Sequence, residues 1–160
     1  DYFCFYKLMS TESNLYKSLL SDVGNIIDSS VPTFTNLGNI AALLKERGNW
    51  FWVGFYKVVG EELILNAFQG PPACVRIAKG KGVCGKSWQE SKSFIVKDVS
   101  LFKGHIACNP HSKSEIVVPI FNKRKKIVYV LDIDHDKINA FNEEDEENLR
   151  LINKLILEII

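Results

Sequence analysis

Two strand-like runs, Ser114 to Phe121 and Lys126 to Asp134, flank the basic turn Asn122-Lys123-Arg124-Lys125. Both runs are rich in β-branched and aromatic residues, which suit a pleated, half-buried surface. A connection this short permits only antiparallel pairing, so the chain is committed to an antiparallel sheet. If the turn pairs Phe121 with Lys126, Glu115 falls directly opposite Asp132. The two-residue period of a strand then places Asp134 on the same face as Asp132. Three acids converge near one end of two adjacent strands, on a face otherwise apolar at Val117, Val128 and Val130.

The remaining elements follow from periodicity. Leu15, Leu19, Val23 and Ile27 recur at helical spacing behind the capping candidates Ser10, Thr11 and Ser13, and Val31-Pro32 ends that helix. Phe34, Leu37, Ile40 and Leu44 mark a second helix, closed by Lys45, Arg47 and Gly48. From Trp50 to Val58 the pattern is that of a strand, and Gly60 turns the chain into another from Glu62 to Ala67. The segment from Gln69 to Gly85 reads as irregular, Lys86 to Ser91 as a short helix and Phe94 to Val96 as a short strand. A second irregular loop spans Ser100 to Lys113. The last helix has an acidic first turn, Glu143-Glu144-Asp145, and the apolar stripe Leu149, Ile152, Ile156 and Ile159. Hairpins with helices at both ends predict an α+β fold, a central antiparallel sheet covered by N-terminal and C-terminal helices, in one domain over residues 1–160.

Like charges facing one another are destabilising. The acidic face therefore reads as a solvated strand end, or as a site for an ammonium group, a metal or a proton. On the first strand, Trp50, Trp52 and Tyr56 share a face, as core or as a wall for an apolar or sulfur-containing ligand.

Three of the four cysteines, Cys74, Cys84 and Cys108, lie in Gly- and Pro-punctuated stretches where a thiol is expected to be accessible. The start, Asp1-Tyr2-Phe3-Cys4-Phe5-Tyr6, lacks a signal-peptide pattern, and no apolar run approaches the roughly 20 residues of a membrane span. A cytoplasmic protein with reactive thiols is the reading that follows, ahead of a structural disulfide framework. Zinc ligands usually come in close pairs, and no pair here is that close. His105 and His111 flank Cys108, leaving open a Cys–His nucleophile. Lys79-Gly80-Lys81-Gly82-Val83 lacks the P-loop pattern. The net charge of +1 gives no field that favours nucleic acid or an anionic membrane.

Several segments together resemble the free methionine-(R)-sulfoxide reductases, enzymes built on a single GAF domain. They are Trp52-Val53-Gly54-Phe55-Tyr56, Phe68-Gln69-Gly70-Pro71-Pro72-Ala73-Cys74-Val75-Arg76-Ile77, Gly82-Val83-Cys84-Gly85, Gly104-His105-Ile106-Ala107-Cys108, Ser114-Glu115-Ile116-Val117-Val118-Pro119 and Leu131-Asp132-Ile133-Asp134. The resemblance implies Cys108 as nucleophile, Cys74 as the main resolving partner and Cys84 as a further relay thiol. It implies a substrate site of Glu115, Asp132 and Asp134, the aromatic wall Trp52 and Tyr56, and backbone N–H groups near Ile106 and Ala107. It further implies free methionine sulfoxide as substrate, a thioredoxin-like reductant, no metal or organic cofactor, and compatibility with a homodimer. Cys4 has no role in that scheme. The rival reading is a non-catalytic GAF domain that senses a small molecule or redox state, since fold alone does not fix function.

Overall fold

The computed structural model describes the backbone from Tyr2 to Ile160 and the side chains from Asn14 onward. Helix α1 (Tyr2–Ile26) runs on past Ser10, Thr11 and Ser13, which therefore sit inside the helix instead of capping it. Their side chains, and that of Cys4, lie outside the described residues. Helix α2 (Thr33–Gly48) starts after Pro32 and stops where Asn49 turns left-handed, at φ 52°. Asn36 pins the α1–α2 connection, accepting from Asp28 N–H at 2.9 Å and donating to the Asp28 carbonyl at 2.8 Å. Phe34, expected on the buried stripe of α2, is instead 60% exposed.

Six strands follow: β1 (Trp52–Val59), β2 (Glu62–Gln69), β3 (Arg76–Ala78), β4 (Phe94–Val96), β5 (Ser114–Phe121) and β6 (Ile127–His135). They form one antiparallel sheet in the order β3-β2-β1-β6-β5-β4. Strand β3 lies within the segment expected to be irregular; its three residues pair with β2 and are too few to carry a periodic signal. Helix α3 (Gly82–Glu90) begins four residues before the expected short helix and takes in Cys84. Helix α4 (Glu143–Ile156) closes the chain, followed by a 3-10 turn at Leu157–Ile159.

The β5–β6 register differs from the simple turn geometry. Phe121 pairs with Ile127, and Ile120 with Tyr129, which leaves Val128 as an extra residue in a bulge. Glu115 thus stands opposite Asp134, and Asp132 opposite Val117. The shift is two residues, so the face of each acid is unchanged, whereas a one-residue slip would have turned the acids over. The bulge does reverse Val128, which packs with the core on the other side of the sheet.

The two sheet faces bury different sets. On one, Val53, Phe55, Ile116, Val118, Leu131 and Ile133 pack with Leu19, Leu37, Ile40, Leu44, Leu149 and Ile152 of α1, α2 and α4. On the other, Trp52, Tyr56, Val117 and Val130 pack with Val83, Cys84 and Trp88 of α3. Trp50 precedes β1 and belongs to the first set, near Phe141, so it does not share the face of Trp52 and Tyr56. The three-helix side supplies most of the core, leaving the α3 side free to carry polar groups.

Helix α4 is held at its start by a capping box. Asn142 accepts from the N–H groups of Glu144 and Asp145, and Asp145 accepts from Asn142 N–H at 2.7 Å. Asp145 also accepts from Tyr16 OH at 2.5 Å, joining α4 to α1. Asn142→Ala is expected to cost about 1 kcal/mol in urea unfolding. A variant as stable as the parent would mean that Asp145 and Tyr16 hold this end without the cap.

Candidate functional site

Between α3, the sheet and the two long loops lies a pocket of about 550 Å³, counting the part open to solvent. Its wall begins with Trp52, whose indole stacks on Phe68 at 5.5 Å and on Tyr56 at 6.2 Å. Gly54 makes this stacking possible: a Cβ there would come within 2.6 Å of Phe68 Cβ. Both wall residues also reach the loop after β2. Trp52 Nε1 donates to the Pro71 carbonyl at 3.0 Å, and Tyr56 OH donates to the Cys74 carbonyl at 2.8 Å. The aromatic wall is therefore also the anchor of the Cys74 loop. The wall assignment came from spacing, whereas the anchoring depends on a loop conformation no local pattern encodes.

Cys74 is joined to Cys108 by a disulfide, their Cα atoms 5.5 Å apart. Both cysteines are partly buried, and Cys108 lines the pocket. Cys84 differs from the expectation of an accessible loop thiol, being a buried residue of α3. Gly82, at φ 60°, turns the chain into that helix, and its missing Cβ leaves room for Ile106 across the pocket. Cys84 Sγ donates to Glu115 Oε1 at 4.0 Å, a long contact even for sulfur.

Glu115, Asp132 and Asp134 meet on the α3 side of β5 and β6, and all three line the pocket. Glu115 and Asp132 are only 6% and 7% exposed. Burial pushes all three carboxyls well above the usual carboxylate range, and their mutual repulsion adds to it. Burial also raises the Cys84 thiol, with Asp132 and Glu115 reinforcing the effect. The Tyr56 phenol is raised by burial and by the same acids. Asp134 is eased by a hydrogen bond from Ser112. Asp132 Oδ1 is buried with no hydrogen-bond partner. Cys84, Glu115 and Asp132 each offer a ligand atom within 4.8 Å of the others, the one such set of three among the described residues.

Ser112 is an addition from the fold, and His105, expected as a candidate partner of Cys108, lies against Glu115. His105 Nε2 lies 3.5 Å from Glu115 Oε2, but burial lowers the imidazole pKa while raising that of the carboxyl. Both shifts favour the neutral forms, so this contact is not an ion pair. His111 is exposed and packs edge-on near Phe51. Pocket-lining residues include Ile106 but neither Cys74 nor Ala107, which sit outside its wall. Cys108 N–H is turned to the Ile106 carbonyl at 3.0 Å.

A GAF domain model matches residues 39–160. The chain is 40% identical over 140 residues to the free methionine-R-sulfoxide reductase of Escherichia coli, covering 87% of this chain and 84% of that protein. The chain belongs to the GAF-domain free methionine-R-sulfoxide reductase family. It is also 51% identical over 142 residues to the GAF domain-containing protein A of Dictyostelium discoideum, covering 88% of this chain and 89% of that one. The structure of the free methionine-R-sulfoxide reductase of Neisseria meningitidis in complex with its substrate superposes with a TM-score of 0.87 at 40% identity, covering 92% and 89% of the two chains. For a member of the free methionine-R-sulfoxide reductase family, the pocket is coherent: Cys108 of the disulfide, three carboxyls and an aromatic side line one cavity. No helix among the described residues is long and apolar enough to cross a membrane.

Proposed function

We propose that the protein reduces free L-methionine-(R)-sulfoxide to methionine, with Cys108 as nucleophile and Cys74 as resolving thiol. The observation that carries this reading is the Cys74–Cys108 disulfide beside a pocket lined by three acids, two of them buried and Asp134 half-buried. The sulfoxide's amino-acid end brings an ammonium group, which offsets the repulsion among Glu115, Asp132 and Asp134. Its carboxylate is taken by the N–H of Ile106, which lines the pocket, since Ala107 sits outside the wall and Cys108 N–H is already engaged. Its S-methyl packs on Trp52, thioether and aromatic ring being favourable partners.

In the chemical step the Cys108 thiolate attacks the sulfoxide sulfur. The oxygen passes to Cys108, which is oxidised to a sulfenic acid as the sulfoxide is reduced to the thioether. The departing oxygen needs a proton, and a carboxyl held neutral by burial is suited to supply it. Cys74 then displaces hydroxide from the sulfenic acid, releasing water and forming the disulfide. A thioredoxin-like dithiol restores both thiols by exchange. We place the whole chain, residues 1–160, in this one catalytic domain.

The test is to supply the reduced protein with each epimer of free methionine sulfoxide and a dithiol reductant. R-selective methionine formation, coupled to thiol consumption, is expected. Binding of the sulfoxide without any methionine formed would replace this reading with that of a sensor domain.

A further inference from the structure

We propose that Cys84, Glu115 and Asp132 form a binding site for a thiophilic divalent cation, zinc above all, and that occupation of this site blocks the pocket. The three donors come from α3, β5 and β6, so the fold itself assembles them. Cys84 Sγ and Glu115 Oε1 stand 4.0 Å apart, and all three ligand atoms lie within 4.8 Å of one another. Tetrahedral zinc, with bonds of about 2.3 Å to sulfur and 2.0 Å to oxygen, holds such a pair at about 3.5 Å, an inward movement of only about half an ångström. Three protein donors leave the fourth position open to water or another ligand.

A second observation points to a ligand. Asp132 is 7% exposed and lines the pocket, and its Oδ1 is buried without a hydrogen-bond partner. No Lys or Arg lines the pocket, and the contact from His105 is to Glu115. Once ionised, these carboxyls have no Lys or Arg side chain of the wall to compensate them, and a divalent cation does so. The thiol sets the choice of metal. Sulfur with carboxylate oxygens suits zinc or cobalt, whereas all-oxygen sets suit magnesium and calcium.

Binding breaks the Cys84 S–H bond and the O–H bond of each ligating carboxyl held protonated by burial, and forms metal–sulfur and metal–oxygen bonds, the protons passing to solvent; nothing is oxidised or reduced. Cys74 and Cys108 take no part, so the site persists when they are joined. The blocking half of the proposal rests on the function proposed above, because the metal claims acids assigned to the substrate ammonium. The metal half does not depend on it.

Cobalt(II) is the probe, titrated into disulfide-bonded protein carrying Cys4→Ala so that Cys84 is the free thiol. One thiolate-to-cobalt charge-transfer band is expected, removed by stoichiometric zinc and absent when Cys84→Ala is added. No band, or a band retained by Cys84→Ala, overturns the site. Asp132→Asn, checked for native circular dichroism, is expected to weaken cobalt binding at least about tenfold, on the scale of altered metal sites; unchanged affinity overturns the three-donor set. Free methionine sulfoxide is expected to raise the apparent cobalt dissociation constant. A band indifferent to the sulfoxide overturns the blocking half, even in a protein that reduces sulfoxide normally. A protein that shows the band but reduces no sulfoxide overturns the catalytic reading and leaves the metal site standing.

Discussion

Replacing Cys108 with serine is expected to remove sulfoxide reduction, with a loss of at least about a thousandfold, the scale on which removal of a nucleophile acts. A hydroxyl at this position is a far weaker nucleophile than a thiolate and cannot accept the oxygen to form a sulfenic acid. Cys74→Ser separates the two halves of the proposed cycle. Given a thioredoxin-like reductant, it is expected to release about one methionine per subunit and then stop, because the sulfenic acid finds no resolving thiol. Cys108 is a partly buried loop residue, so serine leaves the packed core untouched. Methionine release by mass spectrometry, beside circular dichroism of each variant, decides the matter. Full turnover by Cys108→Ser refutes the assignment. Continued turnover by Cys74→Ser hands the resolving role to Cys84, which is buried and contacts Glu115.

The acids are expected to act with opposite signs on activity and on stability. Asp132→Asn removes a carboxyl that the substrate ammonium favours in its ionised form, and a hydrogen bond to a charged group contributes about 1.5–3 kcal/mol, so kcat/KM should fall about 10- to 100-fold. The unliganded variant should nevertheless be more stable than the parent, by about 1–2 kcal/mol, as is common when a strained functional site is relieved. The sign of its pH dependence is fixed. Asp132 has its folded pKa raised above the ordinary value of 3.8, so above that pH the folded state holds more protons than the unfolded one. The parent's stability from this group is therefore fully present below pH 3.8 and is lost as pH rises through the raised folded value. Asparagine does not titrate, and the advantage of the variant should grow across the same window. Urea unfolding of both proteins from acid to neutral pH measures the difference. An advantage that stays constant or shrinks with rising pH would show that Asp132 is not held neutral in the fold.

The helices and the two hairpins were legible because their apolar spacing is local and strong, as in Leu149, Ile152 and Ile156. The acidic face was legible for a subtler reason: strand parity survives a two-residue error in register, though not the pairing of Glu115 with Asp134. What escaped depended on the rest of the chain. Cys84 sits in a Gly-flanked segment that reads as a loop until Val83 and Trp88 find the apolar face of the sheet and make it a helix. Val128 looked like a neighbour of Val130, but a bulge reverses it, and bulges leave no periodic trace. The contact of His105 with Glu115 joins a loop to a strand, and loop conformation is set by tertiary packing.

The bond between Cys74 and Cys108 spans 34 positions and ties the loop after β2 to the loop before β5, with β3, α3 and β4 in between. A cross-link of that span restricts the unfolded chain by about 4 kcal/mol in the loop-entropy account. In the proposed cycle this staple closes and opens once per turnover. The balance between oxidant load and reductant supply then sets how many molecules are stapled at a given moment, and with it how readily the population is unfolded and degraded. A cell rich in sulfoxide would hold the protein mostly in its more durable form. Ample reductant would return it to the active form, which is also the shorter-lived one.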